Sequence, residues 1–366
     1  MTLASWRGPD LLDVPFARFS TIGVGGPVSW FGRAESIEDV AGAHAWCAER
    51  GVELLVIGGG SNLIVADEGF SGLVLQMAIG GLKFSMRDGD TLMRAGAGES
   101  WDGAVAAAVQ RGLSGLECLS GIPGRVGGTP LQNVGAYGQE VADTIDQVVC
   151  FDRATAATVT LSNAECAFAY RTSRFKQEDA GRFIVCEVSF RLRAGAPTIT
   201  YPDVLRVFAR EMVGTPAVRD VRSVVLEIRQ RKGMVLDPED HDTRSVGSFF
   251  MNPIVSADAH ARLAAAAREA DAPGFPVAGG VKVPAAWLIE RAGFTKGVTD
   301  GRVGLSTKHP LAIVNRNGAT AREIVEFAVR IKRKVSEQFG VWLRPEPVMV
   351  GFGADPSVAF LQKASE

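Results

Sequence analysis

Apolar positions in the first two hundred residues come mostly as short runs. VELLVI (52–57), LVLQM (73–77), TLMRAGAG (91–98), DQVVCFD (146–152), ATVTL (157–161) and FIVCEVSFRL (183–192) have the length and β-branched content of strands. Two helices interrupt them. One spans 36–50, with Ser36 as N-cap, Glu38 and Asp39 in its first turn and Gly51 after its end; the other spans 100–111, ahead of Gly112. Beyond residue 200 the period lengthens. A helical stretch over 202–232 opens with Pro202 at a first helical position, and helices also fit 257–270 and 284–292. The clearest is 321–339, where Thr320 and Glu323 form a capping box and Ile324, Phe327, Ile331 and Val335 line one face. Gly340 ends it, and VWLRPEPVMVG returns to strand character. Strands and helices mix without strict βαβ alternation, which predicts α+β rather than a doubly wound sheet.

The glycines punctuate this pattern unevenly. GGGSN (58–62) follows a buried strand, and LSGIPGRVGGTPLQNVGAYG (119–138) is the densest glycine stretch. Cradling a phosphate needs backbone N–H groups that bulky side chains would shield. Gly58, Gly59 and Gly60 allow a tight turn, and Ser61 and Asn62 add side-chain donors. The segment from Ser120 to Gly128 offers the same chemistry, stiffened by Pro123 and Pro130. Either loop alone reads as an ordinary turn; together they favour a dinucleotide. Neither GxGxxG nor a Walker lysine occurs, so a dinucleotide would use another fold.

Composition narrows the field. With 366 residues and a formal net charge of −2, the chain has room for two or three domains and lacks the basic surface of a nucleic-acid-coating protein. No apolar run reaches the length of a membrane span, and the N-terminus lacks a signal-peptide core, so the expectation is a cytoplasmic protein. The five cysteines, without a CxxC pair, predict reduced, buried thiols. DPEDHD (237–242) could take a hard cation, but without EF-hand spacing it reads as a solvated loop, and no metal is expected. RIKRK (330–334), on an amphipathic helix, reads as a solvated face.

The two glycine loops are similar to those of the UDP-N-acetylenolpyruvoylglucosamine reductase family. The likeness continues, in the family's order, through FAYRTSRFK (168–176), RKGMVLDP (231–238), SVGSFFMNP (245–253), AAWLIERAG (285–293), LSTKHPLAIVN (305–315) and WLRPEPVMVG (342–351). The resemblance implies an FAD-binding fold of the vanillyl-alcohol-oxidase type with a separate α+β substrate-binding domain. Expected boundaries are 1–68 and 69–232 for two flavin-binding subdomains, 233–338 for the substrate domain, and 339–366 for a strand segment returning to the flavin. It also implies an NADPH-dependent reaction that makes UDP-N-acetylmuramate for peptidoglycan, with consequences for cell-wall biogenesis, shape and division. NADPH reduces the flavin. N5 then passes hydride to the methylene carbon of UDP-N-acetylglucosamine enolpyruvate, and a proton goes to the neighbouring carbon.

Hydride addition builds an enolate-like charge that needs a cation or hydrogen-bond donor. By resemblance, Arg171 holds the carboxylate, Glu346 polarises the enol and Ser248 donates the proton; alone, SVGSFFMNP would be a turn. The FAD contacts carried over are Gly58, Gly59, Gly60, Ser61, Asn62, Ser120, Gly121, Ile122, Pro123, Gly128, Thr129, Gly135, Ala136 and Tyr137. Substrate contacts are Tyr137, Tyr201, Lys232, Asn252 and His309, the last expected in a strand. Met251, Val348 and Pro310 depart from the family's pattern. A monomer with UDP-sugar and NADPH as partners is expected. Two alternatives stand beside this reading: an oxidase of the same flavin fold acting on an alcohol or hydroxy acid, and an inactive flavin- or UDP-sugar-binding protein.

Overall fold

The computed structural model describes residues 6, 8–211, 215–267 and 272–364. It divides into two compact units: Met1–Asp13, Val28–Gly59 and Ser71–Val235 form the first, and Val14–Pro27, Gly60–Phe70 and Leu236–Glu366 the second. The chain therefore enters the second unit twice before settling there, which no contiguous boundary describes.

Two sheets build the first unit. The smaller orders its strands Asp10–Pro15, Pro27–Ala34, Phe70–Met77 and Leu54–Ile57, the last pair parallel. The larger runs antiparallel through Ala157–Ser162, Ile145–Asp152, Phe183–Ala194, Asp90–Gly96 and Leu82–Arg87. Helix α1 (Ile37–Arg50) starts at Ser36, whose hydroxyl accepts the Asp39 amide while Asp39 accepts the Ser36 amide, as expected. Helix α2 (Trp101–Gln110) buries Trp101 against Phe190 in the core between the sheets, ring centres 5.7 Å apart. The helical stretch over 202–232 is two helices, α3 (Pro202–Glu211) and α4 (Val218–Arg231). Pro216, just before the second, bars a continuous helix by lacking an N–H and crowding the preceding turn.

The second unit is wrapped around its longest helix. Its helices are α5 (Ala257–Ala267), α6 (Ala285–Arg291), α7 (Ala321–Phe339) and α8 (Pro356–Gln362). Residues 268–270 of the stretch expected to be helical lie outside the described residues. Thr320 and Glu323 cap α7 reciprocally, and Ile324, Phe327, Ile331 and Val335 are buried in the unit's core. Asp67 accepts the Ala321 and Arg322 amides at 2.8 and 3.0 Å, placing a carboxylate at the positive end of α7.

Four local expectations fail. Of VWLRPEPVMVG, regular strand covers Val348–Val350, because the flanking prolines lack ladder donors. His309 lies in the turn between Val303–Leu305 and Ile313–Asn315, not in a strand. The DPEDHD segment is only partly solvated: Asp242 is buried and accepts the backbone amide and hydroxyl of Thr307. In RIKRK, Lys332 is fully buried. The five cysteines are free and buried, and among the described residues no cluster of ligating side chains could hold a metal. No helix of the described residues is long and apolar enough to cross a membrane.

Candidate functional site

In the first unit the two glycine segments press together. A Cβ on Gly59 would lie 3.0 Å from the Gly124 Cα, and one on Gly58 would lie 3.2 Å from the Arg125 Cβ. A side chain at either position would press on its neighbour, so glycine favours that approach. A Cβ on Gly128 would meet nothing within 4 Å, so its bareness leaves backbone open rather than serving packing. Arg125, which the motif reading missed, donates to the Gly98 carbonyl at 2.6 Å and pins the second loop. The polar groups of that loop serve its own shape. Ser120 and Thr129 donate to the carbonyls of Glu117 and Val126 at 2.7 and 2.8 Å, and the Gly121 amide donates to Asp102 at 2.6 Å. Asp102 also takes a two-pronged contact from Arg222 on α4 at 2.6 and 2.8 Å. Burial acts to raise the Asp102 pKa, but Arg222 and the Gly121 amide prevail and hold it below the usual carboxylate value.

The end of the second loop is a hairpin, Gly135–Ala136 against Gln139–Glu140, turning through Tyr137 and Gly138 with φ of +50° and +85°. Both central residues left-handed is the twist that matches a two-residue hairpin. Arg171 repeats the device. It sits at φ +55° in a turn closed by reciprocal bonds between Ala169 and Thr172 at 3.0 and 3.1 Å. Its Nη2 donates to the Gly135 carbonyl at 2.7 Å. Asn133, 1 % exposed and itself at φ +46°, ties both turns together: it donates to Glu140 at 2.7 Å and to the Ala169 carbonyl at 3.2 Å, and accepts the Ala142 amide at 3.1 Å. Three non-glycine residues in the left-handed region thus sit in turns that are bonded to one another. Such strain persists where the surroundings over-determine it, commonly at functional sites.

Three of the expected substrate contacts also meet in this unit. The Tyr137 and Tyr201 rings stand edge to face at 5.2 Å, and the Lys232 ammonium lies 5.8 Å from the Tyr137 ring and 3.1 Å from Asp203. Tyr201 immediately precedes α3, and Lys232 caps the end of α4. Burial pushes the Tyr137 phenol up to about 12 and lowers the pKa of Arg229 beside it. Arg229 donates to the Met234 carbonyl at 2.8 Å and is a further residue the motifs did not single out.

In the second unit, backbone pairing brings the serine and glutamate segments side by side. The Glu346 amide donates to the Phe249 carbonyl at 2.8 Å, Phe250 bridges Pro345, and the Met251 amide donates to the Arg344 carbonyl at 3.0 Å. Ser248, behind Gly247 at φ +76°, is half-buried ahead of two fully buried phenylalanines. Asn62, which belongs to this second unit, meets the glutamate segment. Asn62 donates to the Glu346 carbonyl at 3.3 Å and accepts the Val348 amide at 3.0 Å. Gly60, at φ +62°, sits where a Cβ would strike the Phe19 carbonyl. His309 accepts the Leu311 amide at 3.0 Å, and Leu311 accepts the Phe249 amide at 2.8 Å. The Asn252 oxygen accepts the Ala285 amide at 2.9 Å at the start of α6.

Against this geometry stand the likenesses to known proteins. Residues 30–162 match the FAD binding domain family, and residues 224–350 match the family described as UDP-N-acetylenolpyruvoylglucosamine reductase, C-terminal domain. The chain is 48% identical over 349 residues to the UDP-N-acetylenolpyruvoylglucosamine reductase of Thermobifida fusca, covering 93% of this chain and 97% of that one. The chain belongs to the UDP-N-acetylenolpyruvoylglucosamine reductase family. The Streptomyces coelicolor reductase is 46% identical over 355 residues, with 93% and 90% covered. The crystal structure of the Thermus caldophilus reductase aligns with a TM-score of 0.62 at 26% identity, covering 94% of this chain and all of that one. The protein is thus an α+β, FAD-dependent oxidoreductase, as expected from the sequence. The close loops at Gly58, Gly59 and Gly124, with open backbone at Gly128, fit a dinucleotide of FAD's kind.

Proposed function

We propose that the protein reduces UDP-N-acetylglucosamine enolpyruvate to UDP-N-acetylmuramate with NADPH, as a cytoplasmic monomer supplying peptidoglycan precursor and so cell-wall growth and division. When bound, FAD would supply the hydride chemistry between NADPH and the methylene carbon of the enolpyruvyl group. Arg171 holds the substrate carboxylate, where charge accumulates as that carbon is reduced; a planar guanidinium matches a planar anion. Ser248 gives its hydroxyl proton to the neighbouring carbon, and Phe249 and Phe250 keep water from that hydroxyl. Glu346 hydrogen-bonds the enol end of the carboxylate. Tyr137, Tyr201 and Lys232 grip the sugar nucleotide, Lys232 taking the diphosphate charge, and Asn252 and His309 add contacts to the sugar.

The supporting observation is the bond from the Glu346 amide to the Phe249 carbonyl, which sets the glutamate beside the serine segment, with Asn62 of the first glycine loop joined to both sides of Glu346. The test is spectroscopic. The purified yellow protein, held without oxygen, should bleach with NADPH and regain its colour when the enolpyruvyl UDP-sugar is added. Colour that returns with oxygen but not with this substrate would replace the reading with an oxidase.

A further inference from the structure

The basic run RIKRK hides its middle lysine. Lys332, on α7, has no exposed surface. Its ammonium donates to the Leu361 carbonyl at 2.7 Å and the Lys363 carbonyl at 2.6 Å, the last acceptors of α8. The Trp342 and Phe360 rings flank it at 5.3 and 5.5 Å and lie 5.5 Å from each other. A buried ammonium that meets no carboxylate among the described residues is costly unless carbonyls and aromatic faces replace its water. Here both are supplied, the carbonyls from the end of a helix whose dipole favours a cation.

The clasp has two arms of different consequence. One holds α8. The other, Trp342, begins the segment that carries Glu346. From Gly340, the left-handed cap of α7, the chain runs through Val341 and Leu343, both buried, to the pairing of residues 344–346 with 249–251. Downstream, Val348 is fixed by Asn62. Upstream, Val341 and Leu343 share the core with the apolar face of α7, and Trp342 adds a polar tie to that helix through Lys332.

We propose that Lys332 is a positioning residue for Glu346: its caged ammonium anchors Trp342 and so fixes the approach of the glutamate segment to the Ser248 segment. The proposal rests on the reading that Glu346 acts on the enolpyruvyl substrate, and one cycle of variants separates the two. Full-length holoprotein carrying Lys332→Met, Glu346→Gln, or both is compared with wild type for FAD content, anaerobic flavin reduction by NADPH, and reoxidation by UDP-N-acetylglucosamine enolpyruvate. Lys332→Met should keep its FAD and its reduction rate. Its reoxidation should slow by about 10- to 100-fold, the scale of an ångström-level misplacement of a reacting group. Added to Glu346→Gln, it should slow reoxidation by less than about twofold, since two residues acting through one group are not additive. Full additivity, equal slowing of both half-reactions, or unchanged reoxidation in Lys332→Met overturns the positioning role. Normal reoxidation in Glu346→Gln instead overturns the role of the glutamate itself. If Lys332→Met does not yield folded holoprotein, Trp342→Leu, which removes the ring through which Lys332 holds the segment, is put through the same cycle and decides in the same way.

Discussion

In the first unit, Arg171 and Tyr137 project from tight turns at φ +55° and +50°, locked by Asn133 at +46°. In the second, Ser248 and Glu346 have no left-handed backbone and stand on segments held by ladder-like bonds from residues 249–251 to 344–346. The first unit positions side chains by strain that packing sustains; the second positions them by register. Strain gives one well-defined side-chain direction but is undone by loss of a lock. Register shifts only by whole residues, so it tolerates side-chain change and fails when a segment slips.

The largest effects should come from the register-held pair. Ser248→Ala and Glu346→Gln each remove a group proposed above to act on the enolpyruvyl substrate, and loss of such acid–base help costs about 10²- to 10⁴-fold. Stopped-flow traces should show flavin reduction by NADPH nearly unchanged and reoxidation by substrate slowed by that range. Equal slowing of both halves would make the two residues structural.

Next, the strained turn separates backbone from chemistry. Arg171→Ala and Arg171→Gly both lose the guanidinium and should both slow turnover about 10²- to 10³-fold, as when one stabilising donor is removed from a developing anion. They should differ in stability. Glycine accepts φ +55° freely, so Arg171→Gly should unfold at higher urea than Arg171→Ala, by about 1 kcal/mol or more. At Ser248 the order should reverse, alanine exceeding glycine by about 0.4–1 kcal/mol, because there glycine only frees the unfolded chain. The same order at both positions would erase the contrast. The glycine loops give a third break: Gly59→Ala forces a Cβ to 3.0 Å from the Gly124 Cα and should lower the FAD retained on purification, read from the ratio of flavin to protein absorbance.

Much of this was legible in the chain. The N-cap at Ser36, the capping box at Thr320 and the apolar face of α7 depend on residues three or four apart, and they formed as expected. The glycine loops and the GSFF and RPEP segments were visible as motifs. What stayed hidden depends on residues far apart in sequence. Asn133 gave no signal within LQNVGAYG, since its role requires Ala169 to arrive from 36 positions away. The helical stretch over 202–232 broke where Pro216 removes a donor. His309, expected in a strand, lies where the chain turns between two short strands, Val303–Leu305 and Ile313–Asn315. Lys332 was read as solvated because charge on a helix normally faces water; the rings that hide it come from Trp342 and Phe360, 10 and 28 positions on.

That misread lysine supplies the smallest expected effect. Burial, with Arg344 and Lys363 adding repulsion, lowers its pKa from 10.5 to about 8. Between those values the unfolded chain binds a proton that the folded chain has lost, so its contribution to stability rises with pH across that window and is flat below it. The cations facing the clasp are Arg344, Lys363, whose Nζ lies 5.1 Å from the Trp342 ring, and Arg333, over Phe360 at 5.4 Å. They remain in Lys332→Met, which removes only the titrating group. Urea unfolding of both proteins from about pH 7 to about pH 10 should therefore show wild-type stability gaining on the variant as pH rises past the folded pKa. Parallel curves would mean that carbonyls and rings keep the ammonium at its ordinary pKa, and the clasp would then hold equally well across the whole range.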